Sequence, residues 1–207
     1  MRFPLSDLYV IKAGTLFAAV MAIAFVRLRP HHPFDRFGPA NQVTMFRAFL
    51  VSLVAGLVGE PHLPVVAECA AGCAAAATVL DGVDGWLARR TRMASAFGAR
   101  FDMEVDALLI QVLSILVWRH GKAGAWVLLS GLLRYTFVVA GWVWPWMQRP
   151  LFPSVRRKAI CIVQITGLIV AIVPAITPPF SDLAAGTALA VLSYSFLVDT
   201  LWLWQRR

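Results

Sequence analysis

Asp81-Gly82-Val83-Asp84-Gly85-Trp86-Leu87-Ala88-Arg89, eight further residues, then Gly98-Ala99-Arg100-Phe101-Asp102-Met103-Glu104-Val105-Asp106 sets four aspartates into a chain of 207 residues that is 59% hydrophobic and only 14% charged. Carboxylates are among the costliest groups to hold near lipid, so four of them this close together demand a compensating cation. Asp81 and Asp84 stand three residues apart and Asp102 and Asp106 four, so on two helices each pair lies on one face. Two such faces turned toward each other make an all-oxygen cage. Oxygen ligands of high charge, with no Cys or His beside them, suit Mg²⁺ or Mn²⁺ rather than zinc.

Around this stretch the chain is apolar in runs long enough to span a bilayer, which takes about 20 residues each. The runs fall at 42–58, 63–84, 101–118, 124–147, 159–177 and 183–204. They predict an all-α membrane protein, a six-helix transmembrane bundle forming one domain over 39–207. A further apolar run at 8–26 contains Lys12, and the N-terminal segment 1–38 is either an additional transmembrane helix or an interfacial one lying along the membrane surface. Arg2 alone makes a poor basic flank, and no small-residue cleavage site follows the run cleanly, which argues against a cleaved signal peptide.

The formal charge of +8 invites a nucleic-acid reading, but the placement of the charge argues for no nucleic acid. If the six spans alternate, Arg27, Arg29, Arg36, Arg89, Arg90, Arg92, Arg100, Arg149, Arg156, Arg157, Lys158, Arg206 and Arg207 share one side, while Arg119 and Lys122 take the other. The positive-inside rule puts the first side, and with it the entrance to the aspartate cage, in the cytoplasm. Membrane lipids with anionic headgroups and phosphate-bearing substrates are the expected partners. Cys69, Cys73 and Cys161 all lie in apolar runs without another soft ligand, so they are packing residues rather than a metal pair or a disulfide framework. His31, His32, His62 and His120 fall in loops or at span ends.

The quoted stretch resembles the signature of the CDP-alcohol phosphatidyltransferases, with all eight fixed positions of that pattern filled at the family's spacing. The resemblance extends over roughly residues 40–205. It implies transfer of a phosphatidyl group from CDP-diacylglycerol, or a related CDP-alcohol, to a small hydroxyl acceptor with release of CMP. It further implies two Mg²⁺ or Mn²⁺ ions held by Asp81, Asp84, Asp102 and Asp106, with Asp106 also serving as the general base. Two ions held by carboxylates suit a pyrophosphate donor, because they neutralise its charge and orient the leaving group. No Ser-His or Cys-His pair offers a nucleophile, so direct attack is the simpler course.

The resemblance assigns donor contacts to Gly85, Arg89, Ser95 and Gly98, and Asn41 with Thr44 resembles the family's Asn-x-x-Thr segment. Each has a plainer role beside it. Glycines are common where membrane helices cross, and Asn41 also suits a helix N-cap with Thr44 in the first turn. Arg47, three residues further on, either joins them in binding the nucleotide or snorkels toward headgroups. Arg134 lies inside an apolar run, where a cation suggests a site. Arg156, Arg157 and Lys158 suit a positive-inside anchor, or Arg157 and Lys158 join Arg134 in an acceptor pocket beside the metals, which favours an acceptor that itself carries phosphate. Glu104 points to another face of its helix than Asp102 and Asp106 and is not expected among the ligands. It also departs from the Pro-containing segment of the phosphatidylglycerophosphate synthases, which puts glycerol 3-phosphate in doubt as acceptor. The rival class is a membrane cation transporter or channel, which predicts acids spread along the membrane normal instead of clustered in one helix–loop–helix. The resemblance makes a homodimer plausible, and the sequence places no interface.

Overall fold

Lipid offers no hydrogen bonds, so apolar segments of this length satisfy their backbone internally as helices. The computed structural model describes residues 5–31, 34, 36–149, 151–152 and 154–206. Arg2, His32 and Arg207 lie outside the described residues, as do the side chains of Arg27, Arg29 and His31. The described residues form seven α-helices and no strand: α1 (Leu8–His31), α2 (Pro39–Gly56), α3 (Pro64–Arg90), α4 (Ala96–Arg119), α5 (Leu129–Val143), α6 (Val155–Ile172) and α7 (Phe180–Trp204).

Among the described residues, four segments, Leu8–Val26, Pro64–Thr91, Ala125–Val143 and Phe180–Trp204, are long and apolar enough to cross a membrane. The other three helices are diluted by polar groups: Asn41, Gln42 and Arg47 on α2, Arg100, Asp102, Glu104 and Asp106 on α4, and Arg156, Arg157, Lys158 and Gln164 on α6. Apolarity alone therefore does not establish a count of six spans.

Two expected spans are corrected by their prolines. The run 124–147 is not one helix, because the residue before Pro145 is forced out of the helical region and Trp144 turns extended (φ −116°, ψ 95°). One-turn 3₁₀ helices at Ala125–Leu128 and Pro145–Gln148 flank α5 instead. The run 159–177 likewise shifts to Val155–Ile172, since Val173 before Pro174 leaves the helix with ψ 129°.

The chain divides into two units, residues 1–112 and 113–207, with the boundary inside α4. In the first, α1 runs antiparallel to α2. Phe17 meets Phe49 edge-on at 5.7 Å, and Tyr9 donates to the Leu53 carbonyl at 3.3 Å near the far end of α2. Gly56 permits this approach, for a Cβ there would sit 2.9 Å from the Tyr9 ring. Small residues make up much of the buried face of α3, at Ala67, Ala70, Ala74 and Ala77, while α2 buries Thr44, Arg47, Ala48 and Val51. Because lipid tails are as apolar as leucine, such seams are held by close packing and interhelical hydrogen bonds rather than by dehydration.

Past α2, Glu60 ties α1 in place. It accepts from Lys12 Nζ at 2.5 Å and from the backbone N–H and hydroxyl of Ser6, each at 2.7 Å. These donors hold its carboxyl down at about 2, below the usual 4.5. A lowered carboxylate stabilises the fold above its unfolded pKa and loses that contribution as pH falls through the folded one. Glu60→Gln is therefore expected to cost on the order of 1 kcal/mol near neutral pH, discounted because Lys12 is partly solvated. The gap in melting temperature between the two proteins should close as pH drops from about 4.5 toward 2. A gap that stays constant over that range would assign the effect to something other than the charge.

In the second unit α6 and α7 cross closely at Gly167, where a Cβ would lie 2.6 Å from that of Ala188. Lys122 closes one end by donating to the carbonyls of Val173, Pro174 and Ile176 at 3.1, 3.0 and 2.7 Å, which satisfies backbone acceptors of the turn that follows α6. Phe137 of α5 packs on Phe196 of α7 at 5.5 Å.

Candidate active site

Helix α3 runs unbroken through Asp81 and Asp84 and stops at Arg90. Arg92 turns the chain with φ +55°, a left-handed conformation usually left to glycine. The Ser95 hydroxyl then accepts the Gly98 N–H at 3.0 Å, an N-cap bond that starts α4 and sets the register of Asp102 and Asp106. Gly98 lies against α2: a Cβ there would stand 2.8 Å from Asn41 Oδ1 and 3.3 Å from Ser95 Oγ. The motif's second glycine thus lets the start of α4 approach the Asn41 side chain, which in turn donates to the Phe37 carbonyl at 2.5 Å.

The four aspartates converge, and their common partner is Arg47. Its Nη1 lies 3.2 Å from Asp81 Oδ1 and donates to Asp84 Oδ2 at 2.6 Å and to Asp102 Oδ1. Its Nη2 donates to Asp106 Oδ1. Nε donates to the Ala77 carbonyl of α3 at 3.1 Å, and the side chain is only 1% exposed. Thr44, one turn earlier on α2, donates to the same Asp84 oxygen at 3.0 Å. One oxygen each from Asp81, Asp102 and Asp106 lie within 4.8 Å of one another, close enough to share an ion. Asp84 is outside that set and faces Thr44 and Arg47. The donors are hard oxygens alone, which fits Mg²⁺ or Mn²⁺ and not a thiophilic metal.

A cavity of about 230 Å³ opens onto the outer pair, Asp84 and Asp102. Its wall includes Asn41 and Thr44 from α2, Gly85 and Arg89 from α3, and Ser95 and Gly98 at the start of α4. These are the six donor-contact residues singled out in the sequence, gathered from three helices into one space. Asp81 and Asp106 stand one turn deeper, off the cavity wall. Arg89 is exposed at the rim, and Arg90 lies over the Trp86 ring at 4.8 Å. Glu104 accepts from Arg100 at 3.3 Å, on another face of α4.

Arg134, Arg157 and Lys158 belong to the second unit. Arg134 is half-buried on α5, and Lys158 is exposed in the first turn of α6. Arg157 donates to the Phe152 carbonyl at 2.5 Å and lies 3.7 Å from Asp199 Oδ1. Arg156 is fixed more firmly, donating to Asp199 Oδ1 at 2.5 Å and to the carbonyl and hydroxyl of Ser195, each at 3.1 Å.

Two residues were missed in the sequence. Arg47 reads there as a nucleotide contact or a snorkelling cation and not as the partner of the acids, although it stands three residues after Thr44 on the same helical face, and four acids needed a cation. Asp199, buried on α7, is an intramembrane acid whose presence alone signals a cationic partner.

Among known proteins, no curated sequence matches the chain, and no solved structure does. The CDP-alcohol phosphatidyltransferase family profile matches residues 37–202, which covers α2–α6 and all but the last two residues of α7. With the aspartate cage and an apolar helical fold beside that match, the chain belongs to the CDP-alcohol phosphatidyltransferases, integral membrane enzymes of phospholipid synthesis that use divalent metals.

Proposed function

We propose that this protein transfers a phosphatidyl group from CDP-diacylglycerol, or a related CDP-alcohol, to a small hydroxyl acceptor and releases CMP. The observation that carries this reading is the joining of the four-aspartate cage to one cavity walled by Asn41, Thr44, Gly85, Arg89, Ser95 and Gly98. Asp81, Asp84, Asp102 and Asp106 would hold two Mg²⁺ or Mn²⁺ ions. When bound, such ions neutralise a pyrophosphate and stabilise the charge that develops on the departing CMP. Asn41, Thr44, Ser95 and the open backbone at Gly85 and Gly98 hold the CDP part of the donor, and Arg89 reaches a phosphate oxygen from the rim. Asp106 accepts the proton of the acceptor hydroxyl. The hydroxyl oxygen bonds to the lipid-side phosphorus, and the bond from phosphorus to the CMP oxygen breaks with its electron pair on CMP. Arg134, Arg157 and Lys158 bind the acceptor, and their charge favours one carrying phosphate.

A cation transporter is the poorer reading, because the carboxylates close around one guanidinium rather than forming a path. The test is incubation of purified protein and divalent ion with CDP-diacylglycerol and serine, inositol, inositol phosphate, glycerol phosphate or choline while CMP is followed. Release with one acceptor supports the reading, and no release with any of them counts against it.

We place α2–α7 across the membrane as the domain 39–207, preceded by the segment 1–38. Its helix α1 crosses as well, since it runs antiparallel to α2 at Tyr9 and Phe17 and is long and apolar enough to span over Leu8–Val26. The cage opens to the cytoplasm, where Arg89, Arg90, Arg92 and Arg100 surround its mouth in the sequence. In a background lacking the native cysteines, Thr91→Cys and Thr177→Cys should label with opposite accessibility in intact cells. Strong labelling of Thr91→Cys from outside would reverse the orientation. A homodimer is in keeping with the family.

A further inference from the structure

We propose that Arg47 is the positioning residue of the carboxylate cage, holding four aspartates from α3 and α4 in their metal-binding arrangement and remaining there when ions bind. The inference rests on the proposed metal role of the cage and goes beyond it to a residue that is not itself a metal ligand.

The hydrogen count at the guanidinium supports it. Nη1 carries two N–H bonds, which go to Asp84 and Asp102, so Asp81 at 3.2 Å receives charge from it but no hydrogen. Nη2 reaches Asp106, and Nε is anchored to the Ala77 carbonyl of α3 at 3.1 Å. The planar fork therefore spans both aspartate pairs while fixed to the α3 backbone, a geometry that a lysine's single ammonium does not reproduce. Charge points the same way. One guanidinium among four carboxylates leaves an excess of negative charge, so the cage remains attractive to divalent ions with Arg47 in place. Carboxylate oxygens have further lone pairs, so a ligand can hold an ion and accept from Arg47 together.

The rival account makes Arg47 a competitor that fills the ion position and must leave it. The two accounts predict opposite signs. If Arg47 only competes, Arg47→Gln and Arg47→Lys bind Mn²⁺ as tightly as the wild type or more tightly. If it positions the ligands, both variants bind Mn²⁺ about 10- to 100-fold more weakly, the usual cost of losing a group that orients metal ligands. In chelator, Arg47→Gln should also melt about 10 °C lower or more, because four acids lose their counter-charge.

The experiment measures Mn²⁺ affinity by calorimetry and melting temperature in EDTA for the wild type and both variants in detergent. Weaker binding in both with a lower melt in EDTA is the expected result. Unchanged or tighter binding overturns the proposal, as does an unchanged melt. A wild type that binds no Mn²⁺ refutes the metal role of the cage, and the EDTA melt then still tests what Arg47 holds together. Should the variants fail to fold, ¹⁵N-arginine NMR of the wild type reads the same question. Slowly rotating, resolved Nη–H signals that persist on saturation with Mg²⁺ are expected, and their collapse would show Arg47 leaving the cage.

Discussion

Purified Asp102→Asn protein is expected to fold and to release no measurable CMP with any acceptor. Asp102 lines the cavity, bonds Arg47 and belongs to the three oxygens that lie within 4.8 Å of one another. The amide keeps the shape but removes a charge and a ligand, and two-ion catalysis depends on both. Folding should survive, because Asp102 is the most exposed of the four and Arg47 keeps three other carboxylate partners. Asp81→Asn should be as inactive and less stable, since its side chain is buried deeper. Near-normal CMP release by either folded protein would take the cage out of the mechanism.

The second large effect is expected at Asp106. Asp106→Asn should retain CDP-alcohol binding while turnover falls by about 10²–10⁴, the usual contribution of a general base. Asp106 stands one turn below Asp102 and off the cavity wall, so the donor is held mostly by other residues. Its amide can still meet neighbouring polar groups but cannot take a proton at neutral pH. Donor affinity and single-turnover rate must both be measured. Equal proportional losses would make Asp106 chiefly a metal ligand and move the proton acceptor elsewhere.

Much of this protein is legible in its sequence because lipid removes alternatives. A backbone without water must be helical, so apolar run length located α2–α7 as helices and left α1 as either a spanning or an interfacial one. Among the described residues, four segments, one of them in α1, are apolar and long enough to cross a membrane. The spacing of Asp81 with Asp84, and of Asp102 with Asp106, fixed which faces carry the acids, because helical periodicity is local. Helix ends were less legible where proline acts on the residue before it, as at Trp144 and Val173.

What spacing could not supply is which partner each charge finds. Arg47 reads from the sequence as a nucleotide contact or a headgroup anchor, and only the α2–α3 packing at Ala77 carries its guanidinium to the four carboxylates. In the same way Asp199 and Arg156 are 43 residues apart and meet only once α6 and α7 pack. The sequence by itself determined the helices, the acidic motif and its family. Tertiary structure decided the pairing of charges and the shape of the cavity, because a buried charge is stabilised by neighbours within a few ångströms, and those neighbours come from different helices.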